Sequence, residues 1–96
     1  MNRNATFVFR LFVAGEAGNS AQAISNLSAL CRTHLPQRHT IEIVDVFRQP
    51  EAALAEGVFM TPTLVCLAPG PERRIVGTLS QPEVVLHALG LESLAA

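Results

Sequence analysis

The stretch that most constrains this chain is Thr6–Ala14, which reads TFVFRLFVA. Aromatic and β-branched residues fall on both of its alternating faces, and only Arg10 interrupts them. Such a strand cannot leave one face in water. It needs a covering layer on each side, as the central strand of a largely parallel sheet has. It is too short to cross a bilayer, and no run of about 18 apolar residues occurs elsewhere, so no membrane association is expected. With Arg10 inside it, the stretch also lacks a secretory layout, which leads to the expectation of a cytoplasmic protein.

The rest of the chain supplies the layers. Gly15-Glu16-Ala17-Gly18 breaks the strand, and Asn19 and Ser20 are side chains suited to cap a helix start. Ala23, Ile24, Leu27, Leu30, Cys31 and Leu35 then recur at helical spacing up to Pro36. Thr40–Phe47 (TIEIVDVF) is a second strand, and strand, helix and strand make a βαβ unit with parallel strands. Pro50 opens a short helix, Glu51–Glu56, that Gly57 stops. Thr63–Ala68 (TLVCLA) and Arg73–Thr78 (RRIVGT) flank the turn cluster Pro69-Gly70-Pro71-Glu72, which predicts an antiparallel hairpin. Ser80-Gln81-Pro82-Glu83 reads as a capping box, Val84 to Leu89 as the last helix and Gly90 as its stop. The expected fold is α/β, in the order β-α-β-α-β-β-α, with a four-stranded mixed sheet. At 96 residues and 49% apolar, residues 1–96 suit a single domain with one core.

Charge and cysteine content narrow the chemistry. Seven basic and eight acidic residues nearly cancel, all seven bases are arginine, and none cluster as a nucleic-acid face would require. Cys31 and Cys66 form neither C-x-x-C nor a zinc pattern, and read as small core residues rather than a disulfide. His34, His39 and His87 lack metal-ligand spacing, and His34 and His39 are expected at the surface beside Pro36. Ser20 has no base in any recognisable nucleophile motif, so capping explains it better. No cofactor and no catalytic residue are expected. Arg10 and Asp45 are the charges least expected in strands. They either pair across the sheet or at its edge, or are a snorkelling arginine and a strand-end aspartate. Arg73 and Arg74 point to opposite faces of their strand. They protect an edge by charge or offer a basic contact to an acidic patch on a partner.

The order of elements is that of thioredoxin-like proteins, and Met60-Thr61-Pro62-Thr63 resembles the loop that carries a cis-proline in that fold. A more specific resemblance is to the KaiB family. It rests on Leu11-Phe12-Val13-Ala14-Gly15, Asn19-Ser20, Val44-Asp45-Val46, Thr61-Pro62-Thr63-Leu64, Arg73-Arg74-Ile75-Val76-Gly77 and Leu79-Ser80, in family order and spacing over residues 7–91.

The resemblance implies a non-enzymatic regulatory adaptor that binds the KaiC ring ATPase and modulates its phosphorylation or clock output. It implies Arg73 and Arg74 as partner-binding residues, Pro62 as the cis-proline, and self-association as dimers or tetramers in an alternative fold of the C-terminal half. Two other readings stand beside it. One is a stress-linked thioredoxin-like interaction module with no clock role, and the other a divergent thioredoxin-like oxidoreductase. The thiolate pair that the latter needs at the first helix start is replaced by Glu16-Ala17-Gly18-Asn19-Ser20.

The chain also departs from the family. Cys66 stands where free clock proteins usually carry lysine, Gln22 stands at a common basic position, and the tail Glu92-Ser93-Leu94-Ala95-Ala96 lacks their acidic run. Ala88 and Gly90 replace a frequent glycine and aspartate. Alanine within a helix is favoured over glycine by about 1 kcal/mol, so with the Ser80–Glu83 box these residues are expected to favour the thioredoxin-like state.

Overall fold

The computed structural model describes residues 5–91, so the expectations about the chain start and about the tail at 92–96 lie outside the described residues. Its elements are β1 (Phe7–Val13), α1 (Gly18–His34), β2 (His39–Asp45), α2 (Pro50–Glu56), β3 (Thr63–Ala68), β4 (Arg73–Val76) and α3 (Pro82–Ala88). This is the order read from the sequence. The sheet runs β2-β1-β3-β4, with β1 and β2 parallel and both the β1–β3 and β3–β4 pairs antiparallel.

The sheet is therefore mixed, and less parallel than the first strand alone suggested. The length of the crossovers explains this. The 17 residues of α1 return the chain along the sheet, so β2 starts at the same end as β1. The seven residues of α2 span only about 10 Å, roughly two strand spacings, so the chain enters β3 from the opposite end.

As its two-sided apolar pattern requires, β1 is central and covered on both faces. Phe7, Phe9, Leu11 and Val13 pack with Ala23, Leu27, Leu30 and Cys31 of α1 and with Val85 and Leu89 at α3. Phe12 packs on the other face with Val44, Val65, Ala53 of α2 and Val58. Each large side chain buried in this way is worth about 1.5–3 kcal/mol relative to exposure.

Both predicted N-caps differ from what the structure shows. The cap of α1 is Ala17, which makes no side-chain capping bond. Asn19 and Ser20 already lie within the helix. Ser20 is 2% exposed, and its hydroxyl accepts the Ala14 N–H at 3.0 Å, tying the end of β1 to the first turn of α1. At α3 the cap is Gln81, and no side-chain bond forms, so the Ser80–Glu83 box is absent. Pro82 explains the shift. Its fixed φ suits the first helical position, which makes the preceding residue the cap and leaves Ser80 outside. Glu83 stays in the first turn, where its charge complements the helix dipole.

The predicted stops hold. Gly57 ends α2 in the left-handed region at φ +70°. After α3, Gly90 has φ +74°, its N–H reaches the His87 carbonyl at 3.1 Å, and the Leu91 N–H reaches Leu86 at 2.8 Å. That paired closure is the Schellman arrangement, with Leu86 and Leu91 both packed on the core. Ala88 is the last residue of α3.

Strand β2 stops two residues before Phe47. The Asp45 carboxylate accepts the Gly15 N–H at 3.1 Å and the Phe47 N–H at 2.9 Å, turning the chain. Strand β4 stops at Val76, before Gly77 at φ +121°.

Replacing Ser20 by Ala leaves the half-buried Ala14 amide without this acceptor and should lower unfolding free energy by about 0.5–1.5 kcal/mol. The exposed Asn19→Ala should change it by less than about 0.5 kcal/mol in the same urea titration. Equal losses would restore the capping role to Asn19.

Candidate functional site

In a thioredoxin-like fold a reactive thiolate sits where β1 passes into α1. Here that segment holds no thiol, and the one buried hydroxyl, on Ser20, is engaged by the backbone. Both cysteines are free and lie in the core between α1 and the sheet, as the sequence suggested. Burial pushes the Cys31 thiol up to about 11, and the nearby Cys66 adds to the rise. Burial also raises Cys66, opposed chiefly by the Arg73 guanidinium beside it. Neither supplies a thiolate at neutral pH.

The histidines are not assembled into a site. Among the described residues no three His, Cys, Asp or Glu side chains lie where they could hold a metal ion. His34 is exposed as expected, but His39 is half-buried, its Nδ1 donating to the Leu35 carbonyl at 2.7 Å. Its position at the start of β2 sets that burial.

The polar feature that the sequence did not reveal crosses the α2 face of the sheet. Register places Glu42, Arg10, Val65 and Arg74 in one row, on β2, β1, β3 and β4 in turn. Arg10 Nε donates to Glu42 at 2.9 Å. At the end of α2, Glu56 bridges the row, taking Arg10 at 3.3 Å on one carboxylate oxygen and Arg74 at 3.5 Å on the other. Arg74 Nε donates to Glu72 at 3.2 Å. The result is an alternating chain of charge, Glu42–Arg10–Glu56–Arg74–Glu72. Arg10 thus pairs with glutamates and not with Asp45, which is the strand-end aspartate of the second reading.

The two arginines of β4 do point to opposite faces. Arg73 is half-buried, its Nη2 donating to the Pro69 carbonyl at 2.7 Å and lying 3.9 Å from Cys66 Sγ, while its buried Nε has no partner. Arg74 faces outward on the α2 side. Besides the glutamates it meets the main chain, with Nη1 donating to the Gly57 carbonyl at 3.3 Å and Nη2 to that of Glu56.

Beside Arg74 lies a shallow depression of about 140 Å³ whose lining includes Gly57, Phe59, Met60, Thr63 and Val76. Phe59 is 82% exposed, Met60 61% and Val76 54%. The Thr61–Pro62 bond is cis, as the resemblance implied, and Ala68–Pro69 is cis as well. Pro62 is buried, its carbonyl accepts the Gly77 N–H at 2.9 Å, and the Thr63 hydroxyl donates to the Met60 carbonyl at 2.6 Å.

Fold and site together define a thioredoxin-like domain whose helix start has no thiol. The family model described as KaiB domain matches residues 10–91, and the chain belongs to the KaiB family. It is 41% identical over 92 residues to circadian clock protein KaiB3 of Synechocystis, covering 96% of this chain and 85% of that one. To circadian clock oscillator protein KaiB of Prochlorococcus marinus it is 35% identical over 91 residues, covering 95% and 85%. Among solved structures, the N-terminal domain of Synechococcus elongatus SasA superposes with a TM-score of 0.74 at 16% identity, covering 97% of this chain and 91% of that domain. Fasciola hepatica thioredoxin superposes at 0.72 with 21% identity, covering 93% and 84%. These two likenesses establish the thioredoxin-like fold. No described helix is long and apolar enough to cross a membrane.

The raised Cys31 thiol links stability to pH. The folded state keeps its proton up to about 11, whereas the unfolded chain releases it near 9.0. Between those values the unfolded state binds fewer protons, so stability is full below pH 9 and falls as pH rises through that window. Urea midpoints should decline across it in the native sequence, and Cys31→Ala should flatten the decline. An equal slope in that variant would assign the effect elsewhere.

Proposed function

We propose that this protein is a cytoplasmic, non-enzymatic regulatory adaptor. It docks on a KaiC-like ring ATPase and modulates that partner's phosphorylation or clock output. The observation that carries the reading is the contrast between an empty chemical site and an available surface. No thiol stands at the start of α1, both cysteines are buried, and Phe59, Met60 and Val76 stand exposed together beside Arg74. A dithiol enzyme needs an accessible thiolate at that helix start. Membership of the KaiB family supports the clock partner.

Docking is proposed to use the thioredoxin-like form as it stands. The paired closure at Gly90 and the alanine at the end of α3 favour the last helix over a C-terminal strand in its place. An NMR structure with a strand across residues 82–88 would contradict this.

The direct test is co-elution of the full chain with a recombinant KaiC hexamer, with ATP and with ADP. A nucleotide-dependent complex and no turnover of a disulfide substrate are the expected results. A well-folded chain that never co-elutes would favour an interaction module without a clock role. Robust disulfide reduction would make it an oxidoreductase.

A further inference from the structure

We propose that the contact with the partner on this side of the sheet is apolar. Phe59, Met60 and Val76 meet an uncharged, apolar surface of a protein partner, and Arg74 is a positioning residue beneath them rather than an ionic contact. This rests on the adaptor reading above.

The argument starts from how Arg74 spends its donors. A guanidinium has five N–H groups in a fixed fork. Four are taken by the chain's own acceptors: the Glu72 carboxylate, the Gly57 carbonyl, the Glu56 carbonyl and the Glu56 carboxylate. Two of those acceptors are the last carbonyls at the C-terminal end of α2, groups a helix leaves unsatisfied. The last turn of α2 has no basic residue of its own, so Arg74 supplies from β4 the cation such an end favours.

That cap fixes the segment that follows. Gly57 leaves the helix at φ +70°, the Val58 N–H returns to the Ala53 carbonyl at 2.9 Å, and the Thr63 hydroxyl holds the Met60 carbonyl. Phe59 and Met60 lie between these ties, exposed on a backbone held at both ends. A surface ordered before binding loses little entropy when it docks.

Charge then selects the occupant. Along the row Glu42–Arg10–Glu56–Arg74–Glu72 each arginine lies between two carboxylates. An acidic partner would find a single Arg74 donor unassigned and would have to approach it past the Glu56 and Glu72 carboxylates. An uncharged partner surface can cover Phe59, Met60 and Val76 and strand no charge, which is the cheaper desolvation. At about 140 Å³ the depression is also smaller than the few hundred Å³ usual for small-ligand pockets.

The test measures affinity of the full chain for a recombinant KaiC hexamer with nucleotide, and amide exchange in the free chain. Phe59→Ala with Met60→Ala should weaken binding about tenfold or more while leaving the urea midpoint in place. Wild-type affinity should change less than about threefold between roughly 50 and 500 mM salt. Glu72→Gln should leave affinity within about twofold, whereas an ionic contact would tighten as Arg74 is released. Arg74→Gln should weaken binding and speed exchange over residues 53–60 by about tenfold, with Arg74→Lys intermediate.

Steep salt dependence with an unaffected Phe59/Met60 variant would overturn the apolar contact. Unchanged exchange in Arg74→Gln would overturn the positioning role. If the wild-type chain does not bind KaiC at any salt, the adaptor reading falls and the apolar contact with it, while exchange in the free chain still decides the role of Arg74.

Discussion

Everything in this molecule is arranged around a strand that tolerates no water on either face. Phe7, Phe9 and Leu11 on one side of β1 and Phe12 on the other are essentially inaccessible. That double burial requires two layers, and the chain meets it with helices of unequal size. The long α1, with α3, covers one face. The seven-residue α2 covers only part of the other. The charged row therefore occupies the α2 face, where Arg10 can stay paired near solvent and still lie on the central strand.

Most of the architecture was legible because it depends on local periodicity and punctuation. The bounds of β3 match its apolar run, Pro50 opens α2 and Gly57 closes it, and Gly90 stands at the left-handed position that ends α3. What was not legible depends on partners distant in the chain. Ser20 has the composition of a cap, but its role is set by the fold around the end of β1, which places the Ala14 amide against its hydroxyl. Ser80 and Glu83 have the spacing of a capping box, and one proline between them moves the helix start.

The same division separates the two arginines of β4. Alternation along the strand was enough to say that they point to opposite faces. It could not say that the outward one caps a helix 17 or 18 residues earlier in the chain, because that follows from the register of three strands. The sequence signal that does exist is negative. Helix α2 carries Glu51 in its first turn and no basic residue in its last, so its C-terminal end lacks a cation from its own residues.

The placement of the two thiols has a consequence for how the molecule senses its surroundings. Cys31 on α1 and Cys66 on β3 face the same apolar layer, closed to solvent. Peroxides and electrophiles therefore meet no accessible thiol while that layer is shut. Modification of either cysteine requires that layer to open first.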